Sequence, residues 1–329
     1  MVPVASGLFV LLLAVQIEGC YYMQAARGHV DIMQKRRPVD DVIRDASSPE
    51  ELKERLIQVK EARQFSIDEL RLPDNDSYLS YAELDRDFVV WNVFAAPEFS
   101  LQAKRWCYPV VGCVGYRGYF SKEAAQKRAE KLRRDGYDVV VGGVAAYSTL
   151  GRFSDPVLST MMRWSDLDLV AVLFHELAHQ KLYVRDDAEF NESFATAVEE
   201  IGIERWLASR GEHERLREYR GSREFRRLLM QHVRAARAEL EKLYASLVDD
   251  DQKRERKQTI LARLTAEAHR EVDRKGRRAP VWLMQPMNNA SLIPLILYQG
   301  KLAEFRQLLK DCHDDLQCFY DGAETLSRS

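Results

Sequence analysis

The sequence predicts an α+β fold, and three observations carry that expectation. Runs rich in Val, Trp, Tyr and Gly are confined to the stretch before residue 150. A segment apolar on nearly every helical face follows from Ser165 to Leu182, and after Gly211 the chain turns to long, heavily charged helical patterns. The expected architecture is a small mixed sheet plus one buried helix, with a mostly helical C-terminal part that contains a long charged helical hairpin. A chain of 329 residues with 46% hydrophobic content can bury the core this needs. With 49 basic against 51 acidic residues there is no global field to favour nucleic acid, and no nucleic-acid partner is expected.

The first residues form a unit of their own. Leu8 to Val15 is an apolar run too short to span a bilayer, and Ile17-Glu18-Gly19-Cys20 follows it. Residues 1–19 read as a signal peptide, and the pattern resembles the bacterial lipoprotein box, which implies cleavage before Cys20 and acylation of that cysteine. Two features depart from the pattern: no Lys or Arg precedes the apolar run, and Glu18 stands beside the cleavage site. An ordinary secretory signal is the competing reading, and either places the mature chain outside the cytoplasm. The other cysteines fit that compartment. Cys107 and Cys113 are six apart, as are Cys312 and Cys318, so two local disulfides are the natural pairing, although four cysteines permit two others. Neither pair has the Cys-x-x-Cys spacing of a zinc knuckle.

Residues 20–87 read as a helical lead-in, with Ser47-Ser48-Pro49 ahead of Glu50-Glu51-Leu52 as a helix start. A catalytic core is expected over 88–211. Phe88 to Ala96 and Val110 to Phe120 read as strands. Ser121 offers a cap for a helix through Arg134, Gly136 closes it, and Tyr137 to Val141 returns to strand. Gly142 to Thr149 continues as an extended segment whose glycines permit close approach of another backbone, so it reads as an exposed sheet edge or as a plain internal strand. Ser165 with Asp168 three residues on forms a capping signal for the apolar helix. Residues 212–329 read as the helical part that closes the other side of a cleft. Its hairpin runs over about 212–248 and 253–275, joined at Asp249-Asp250-Asp251, and an apolar stretch with Pro286 and Pro294 lies between Trp282 and Tyr298.

The chemistry concentrates on the apolar helix. His175-Glu176-Leu177-Ala178-His179 places two imidazoles four residues apart, on one face, where both reach a single ion. Glu176 between them points to the edge of such a site, where it can take a proton from water and return it to a leaving amine. Burying these groups without partners costs several kcal/mol, roughly 2–7 per polar group, so hydrogen-bonded core histidines are the competing structural role. A third ligand is needed, and Glu192 of Asn191-Glu192-Ser193-Phe194-Ala195, at the start of a second helix running to about Ser209, can face the first across the loop Tyr183 to Phe190. Two His, one Glu and an open position form the expected catalytic zinc set, one Zn2+ in all. Thr196 and Glu199, one and two turns on, are candidate hydrogen-bond partners for a ligating imidazole. Tyr147, Tyr219 and Tyr298 are candidate donors to a transition-state oxyanion.

These motifs resemble the glutamate-zincin metallopeptidases, whose first helix bears His-Glu-x-x-His and whose second bears Asn-Glu-x-x-Ala. More closely, the chain is similar to the bacterial lipoprotein family of predicted zinc aminopeptidases, through Gly112-Cys113-Val114-Gly115-Tyr116-Arg117-Gly118-Tyr119-Phe120, Gly142 to Gly151 and Phe174 to Gln180. The resemblance spans about Cys20 to Tyr298. It implies a zincin-like domain, a peptide or protein substrate, His175, His179 and Glu192 as ligands, Glu176 as base, and a periplasmic enzyme held to the outer membrane by its lipid. One departure is that only twelve residues separate His179 from Glu192, so the inter-helix loop must be tight. Neither an acidic cluster for a substrate amine nor a Gly-x-Met-x-Asn element is evident. An envelope endopeptidase therefore stands as an alternative, as does a non-catalytic scaffold stabilised by zinc.

Overall fold

A computed structural model describes residues 21–108, 112–297 and 300–328. The expected signal peptide over 1–19, the acylation at Cys20 and the oxyanion candidate Tyr298 lie outside the described residues. The fold is α+β. A helix over 21–34, α1, leads into β1 (Arg36–Pro38), α2 (Val39–Arg44) and α3 (Glu50–Asp68). The expected single mixed sheet is instead three small ones. One has the order β1-β2-β8, with β2 at Ser80–Ala82 and β8 at Val157–Leu158, and holds the mixed pairing. Strands of two or three residues are too short to show the alternation by which a strand is read, which is why they escape a sequence reading.

The larger sheet, β6-β3-β7, is antiparallel throughout, with β3 at Val90–Pro97, β6 at Tyr116–Tyr119 and β7 at Tyr137–Val144. A two-stranded ribbon, β4 (Trp106–Cys107–Tyr108) with β5 (Gly112–Val114), is closed by the disulfide Cys107–Cys113. Side-chain alternation divides the faces of the larger sheet. Val93, Ala95 and Val139 pack on Ala125, Ala129 and Leu132 of α4 (Lys122–Arg134). Phe94 and Ala96 pack on Ala290 and Ile293 of the later helix α9 (Asn289–Leu297). Ser121 caps α4 by accepting from Ala124 N at 3.2 Å, and Gly136, at φ +83°, supplies the left-handed stop.

The main core lies among α3, α5 (Asp166–Lys181) and α6 (Ala188–Ser209). Ser165 starts α5, accepting from Asp168 N at 3.2 Å while its hydroxyl donates to the Asp168 carboxylate at 2.7 Å. The second helix starts three residues earlier than expected, at Ala188, because Asp187 caps it by accepting from Phe190 N at 2.9 Å. That earlier start is how twelve intervening residues suffice. Asn191 completes the tight loop, taking Val184 N and giving to Val184 O at 2.7 Å each.

The hairpin is α7 (His213–Ala245) and α8 (Asp250–Lys275), with Asp249 capping α8. It is tied to the sheet at one buried polar node. Lys257 Nζ lies 2.6 Å from Asp138 Oδ2 and 2.9 Å from Glu98 O, and Asn289 N donates to the same Asp138 oxygen at 2.8 Å. Two terminal helices, α10 (Leu302–Asp311) and α11 (Leu316–Leu326), return to the main core through Phe305 and Phe319, with the disulfide Cys312–Cys318 between them. Arg306 clamps the buried Glu200 carboxylate of α6 at 2.8 Å. Among the described residues no helix is long and apolar enough to cross a membrane.

Candidate metal and catalytic site

Two helices and one strand end meet at the site. His175 and His179 stand one turn apart on α5, only 8% and 7% exposed, with ring centroids 4.9 Å apart. Glu192, in the second turn of α6, faces them: its Oε2 lies 3.3 Å from His175 Nε2 and 3.8 Å from His179 Nε2. A donor atom from each of the three residues falls within a 4.8 Å sphere of mutual distances. The structure thus brings together the three expected ligands, and the group could hold a metal ion.

The back of the His175 ring tests the fit. His175 Nδ1 lies 3.2 Å from Glu199 Oε2 and its Nε2 3.3 Å from Glu192 Oε2, so a neutral ring that donates to one carboxylate turns a nitrogen lone pair toward the other. Either a second proton or a cation must lie between them. Burial lowers the affinity of His175 for that proton, but Glu192 and Glu199 together outweigh burial and hold its pKa well above the usual histidine range. His179 has less compensation, and burial pulls it down to about 4, so it offers a neutral nitrogen as a ligand would. Two imidazoles and one carboxylate, with Glu199 orienting one ring from behind, fit a divalent metal of the zinc type.

Glu176 projects from α5 into the same space, half-buried. Burial pushes its carboxyl up to about 7; Glu192 and Asp155 add to the rise, while His175 and the Ser148 hydroxyl oppose it. Two cavities share His175 and Glu176. One, of about 380 Å3, is largely aromatic and includes Phe94, Tyr116, Phe120 and Tyr147. The other, of about 890 Å3, extends toward the hairpin past Thr196 and Glu199. The end of β7 and the residues after it, Val144 and Ala146, line both. Among the described residues β7 pairs with no strand other than β3, and Asn288 Nδ2 donates to Val139 O of β7 at 3.3 Å.

The remaining expected residues separate. Glu199 touches His175 directly, whereas Thr196 is buried and lines the larger cavity. Tyr147 lines the smaller one, its hydroxyl 3.5 Å from His29 Nδ1 and its pKa pushed to about 12 by burial. Tyr219 lines neither cavity; burial and the charges of Glu199 and Glu200 raise its pKa.

Five neighbours were not among the expected site residues. Tyr116 and Tyr183 line the smaller cavity close enough to Glu192 for its charge to raise both phenols beyond the effect of burial. Ser148 reaches Glu176, and the buried Asp155 carboxylate orders that loop by accepting from Thr149 N at 2.9 Å and Thr149 Oγ1 at 2.8 Å. Tyr78 adopts a left-handed φ of 64°, and its buried hydroxyl has no hydrogen-bond partner among the described residues. Tyr116 and Ser148 fall within stretches that carry the family resemblance, but no local signal marks any of the five as a site residue, because only the fold brings them close to His175, His179 and Glu192.

Compared with known proteins, residues 20–329 match the model of one protein family, described as "Putative aminopeptidase". No curated protein and no solved structure matches the chain.

Proposed function

The chain belongs to this aminopeptidase family, and from that premise we propose that it is a zinc-dependent peptidase of the bacterial cell envelope, acting as an aminopeptidase. The observation that carries the reading is the convergence of His175, His179 and Glu192 on one point, at the floor of a cleft that Glu176 also faces. The fold assignment is zincin-like: a small sheet with an edge strand, a helix bearing both histidines and a second helix bearing the glutamate.

When bound, zinc contributes Lewis-acid polarisation of the scissile carbonyl and acidification of water. The chain's own residues do the rest. His175 and His179 present their Nε2 atoms, and Glu199 fixes the tautomer and tilt of the His175 ring. Glu176, with a pKa near 7, accepts a proton from the attacking water at its carboxylate and delivers it to the leaving amine nitrogen. Tyr116, Tyr147 and Tyr183 line the same cavity and are candidate donors to a developing oxyanion. The edge of β7 away from β3 gives an extended substrate backbone a strand to pair with.

Two disulfides favour an oxidising compartment. With the lipoprotein-type sequence ending at Cys20, they support a periplasmic enzyme anchored to the outer membrane through that cysteine. Elemental analysis of the full chain tests the centre: about one zinc per chain is expected in wild type and little in His175→Ala or Glu192→Ala. Glu176→Gln should keep the metal and lose hydrolysis of peptides. No stoichiometric metal after zinc is supplied would sink the reading and leave a scaffold.

A further inference from the structure

The smaller lobe of the cleft has an end wall made by the chain's own first described helix. Tyr21 and Ala25 of α1 line the 380 Å3 cavity that also exposes Glu176 and Glu192. The helix is fastened there by contacts of several kinds. The Gln24 carboxamide donates to Gly118 O at 3.5 Å and accepts from Phe120 N at 3.1 Å, so one side chain occupies two backbone groups at the outer strand β6, much as another strand would. The guanidinium of the buried Arg117 lies 3.8 Å from the centre of the Tyr21 ring. Gly28 passes so close to Phe120 that an added Cβ would sit 2.1 Å from its ring, and Ile32 is fully buried in the main core. A helix docked in this way bounds the cavity as firmly as the sheet does.

The opposite lobe differs in size and charge. It measures about 890 Å3, and Arg226, Arg277 and Arg278 line it from the hairpin side. Arg277 donates to Ser222 at 3.0 Å, and among the described residues no carboxylate forms an ion pair with any of the three. Asp168, Glu176 and Glu199 line this lobe too, with Asp168 engaged by the Ser165 hydroxyl and Glu199 by His175. A peptide ammonium is disfavoured among arginines, whereas the smaller lobe is lined by no arginine or lysine and offers aromatic faces. Charge therefore orients a substrate, amino end toward α1 and carboxyl end toward the arginines. A cavity of 380 Å3 is at the small end of ligand pockets, roughly 300–1,000 Å3, and admits about one or two residues.

We propose that α1, fastened by Gln24, is the end wall of the substrate cleft, and that Tyr21 and Ala25 restrict cleavage to the first one or two residues of a chain that leaves past Arg226, Arg277 and Arg278. The proposal rests on the peptidase reading above and adds the element that makes the enzyme act from a chain end.

The test uses the full chain and two peptides of one sequence, one with a free amino end and one extended there by four residues and acetylated. Wild type should trim the free peptide stepwise and cut the extended one at least tenfold more slowly. Tyr21→Ala/Gln24→Ala should raise internal cleavage of the extended peptide at least tenfold. Ala25→Trp, which fills the lobe without loosening the helix, should abolish trimming of peptides that begin with a large residue. Arg226→Glu/Arg278→Glu should raise KM and leave kcat within twofold. Equal internal cleavage by wild type, or unchanged cleavage positions in both folded wall variants, would overturn the wall. Calorimetric binding of both peptides to Glu176→Gln separates this from the peptidase reading. Tighter binding of the short peptide, with no turnover by wild type, keeps the wall and discards the peptidase; equal binding discards the wall.

Discussion

Gly202→Ala probes the contact that brings together the helices carrying His175, His179 and Glu192. Gly202 lies inside α6, where glycine is ordinarily a poor choice, and in an open helix its replacement by alanine gains about 1 kcal/mol. Here an added Cβ would meet Phe174 Cδ2 at 2.5 Å and Leu70 Cδ1 at 2.8 Å. Both neighbours are fully buried, so neither can swing into solvent. Overpacking of a tight core costs roughly 1–3 kcal/mol, and separations below any real Cβ contact place this site at the upper end. Subtracting the helix gain from about 3 kcal/mol leaves a net loss of about 2 kcal/mol. Phe174 directly precedes His175, so relief by shifting α5 also displaces His175. Urea unfolding followed by tryptophan fluorescence should show that loss with an unchanged m value, and zinc affinity should fall at least fivefold. A variant as stable as wild type, or more stable, would refute the close approach of α5 and α6.

Glu199→Gln keeps the shape behind His175 but removes the charge, and zinc affinity measured against a competing chelator should fall about 10- to 100-fold, or roughly 1.4–2.7 kcal/mol. An affinity unchanged within threefold would remove Glu199 from the site. Lys257→Met leaves the Asp138 carboxylate facing only Asn289, and chemical denaturation should show a loss of about 3 kcal/mol, partly recovered in Asp138→Asn/Lys257→Met. No recovery in the double variant would mean that the pair is not coupled. Cys312→Ser/Cys318→Ser opens a loop of sequence separation 6, and loop-closure entropy sets its cost at about 2 kcal/mol by the same assay. Loss of all zinc in that variant would contradict the placement of this disulfide away from the site.

The sequence by itself determined the elements whose signals are local. The Ser121 and Ser165 caps, the Gly136 stop, the apolar helix with two histidines a turn apart and the charged hairpin follow from periodicity and capping, which depend on residues within a few positions of one another. Glu192 was legible too, because its neighbours and its distance from His179 limit where it can lie. Only the tertiary structure decided the rest. The short strands β1, β2 and β8 are defined by their partners rather than by their own pattern. The earlier start of α6 depends on Asp187 finding Phe190 N, and the choice of Glu199 over Thr196 behind His175 depends on how the two helices are rotated against each other. Tyr116, Tyr183, Ser148 and the wall built by α1 come from separate stretches of chain. Their proximity to the ligands is a property of packing, which no spacing along the sequence encodes.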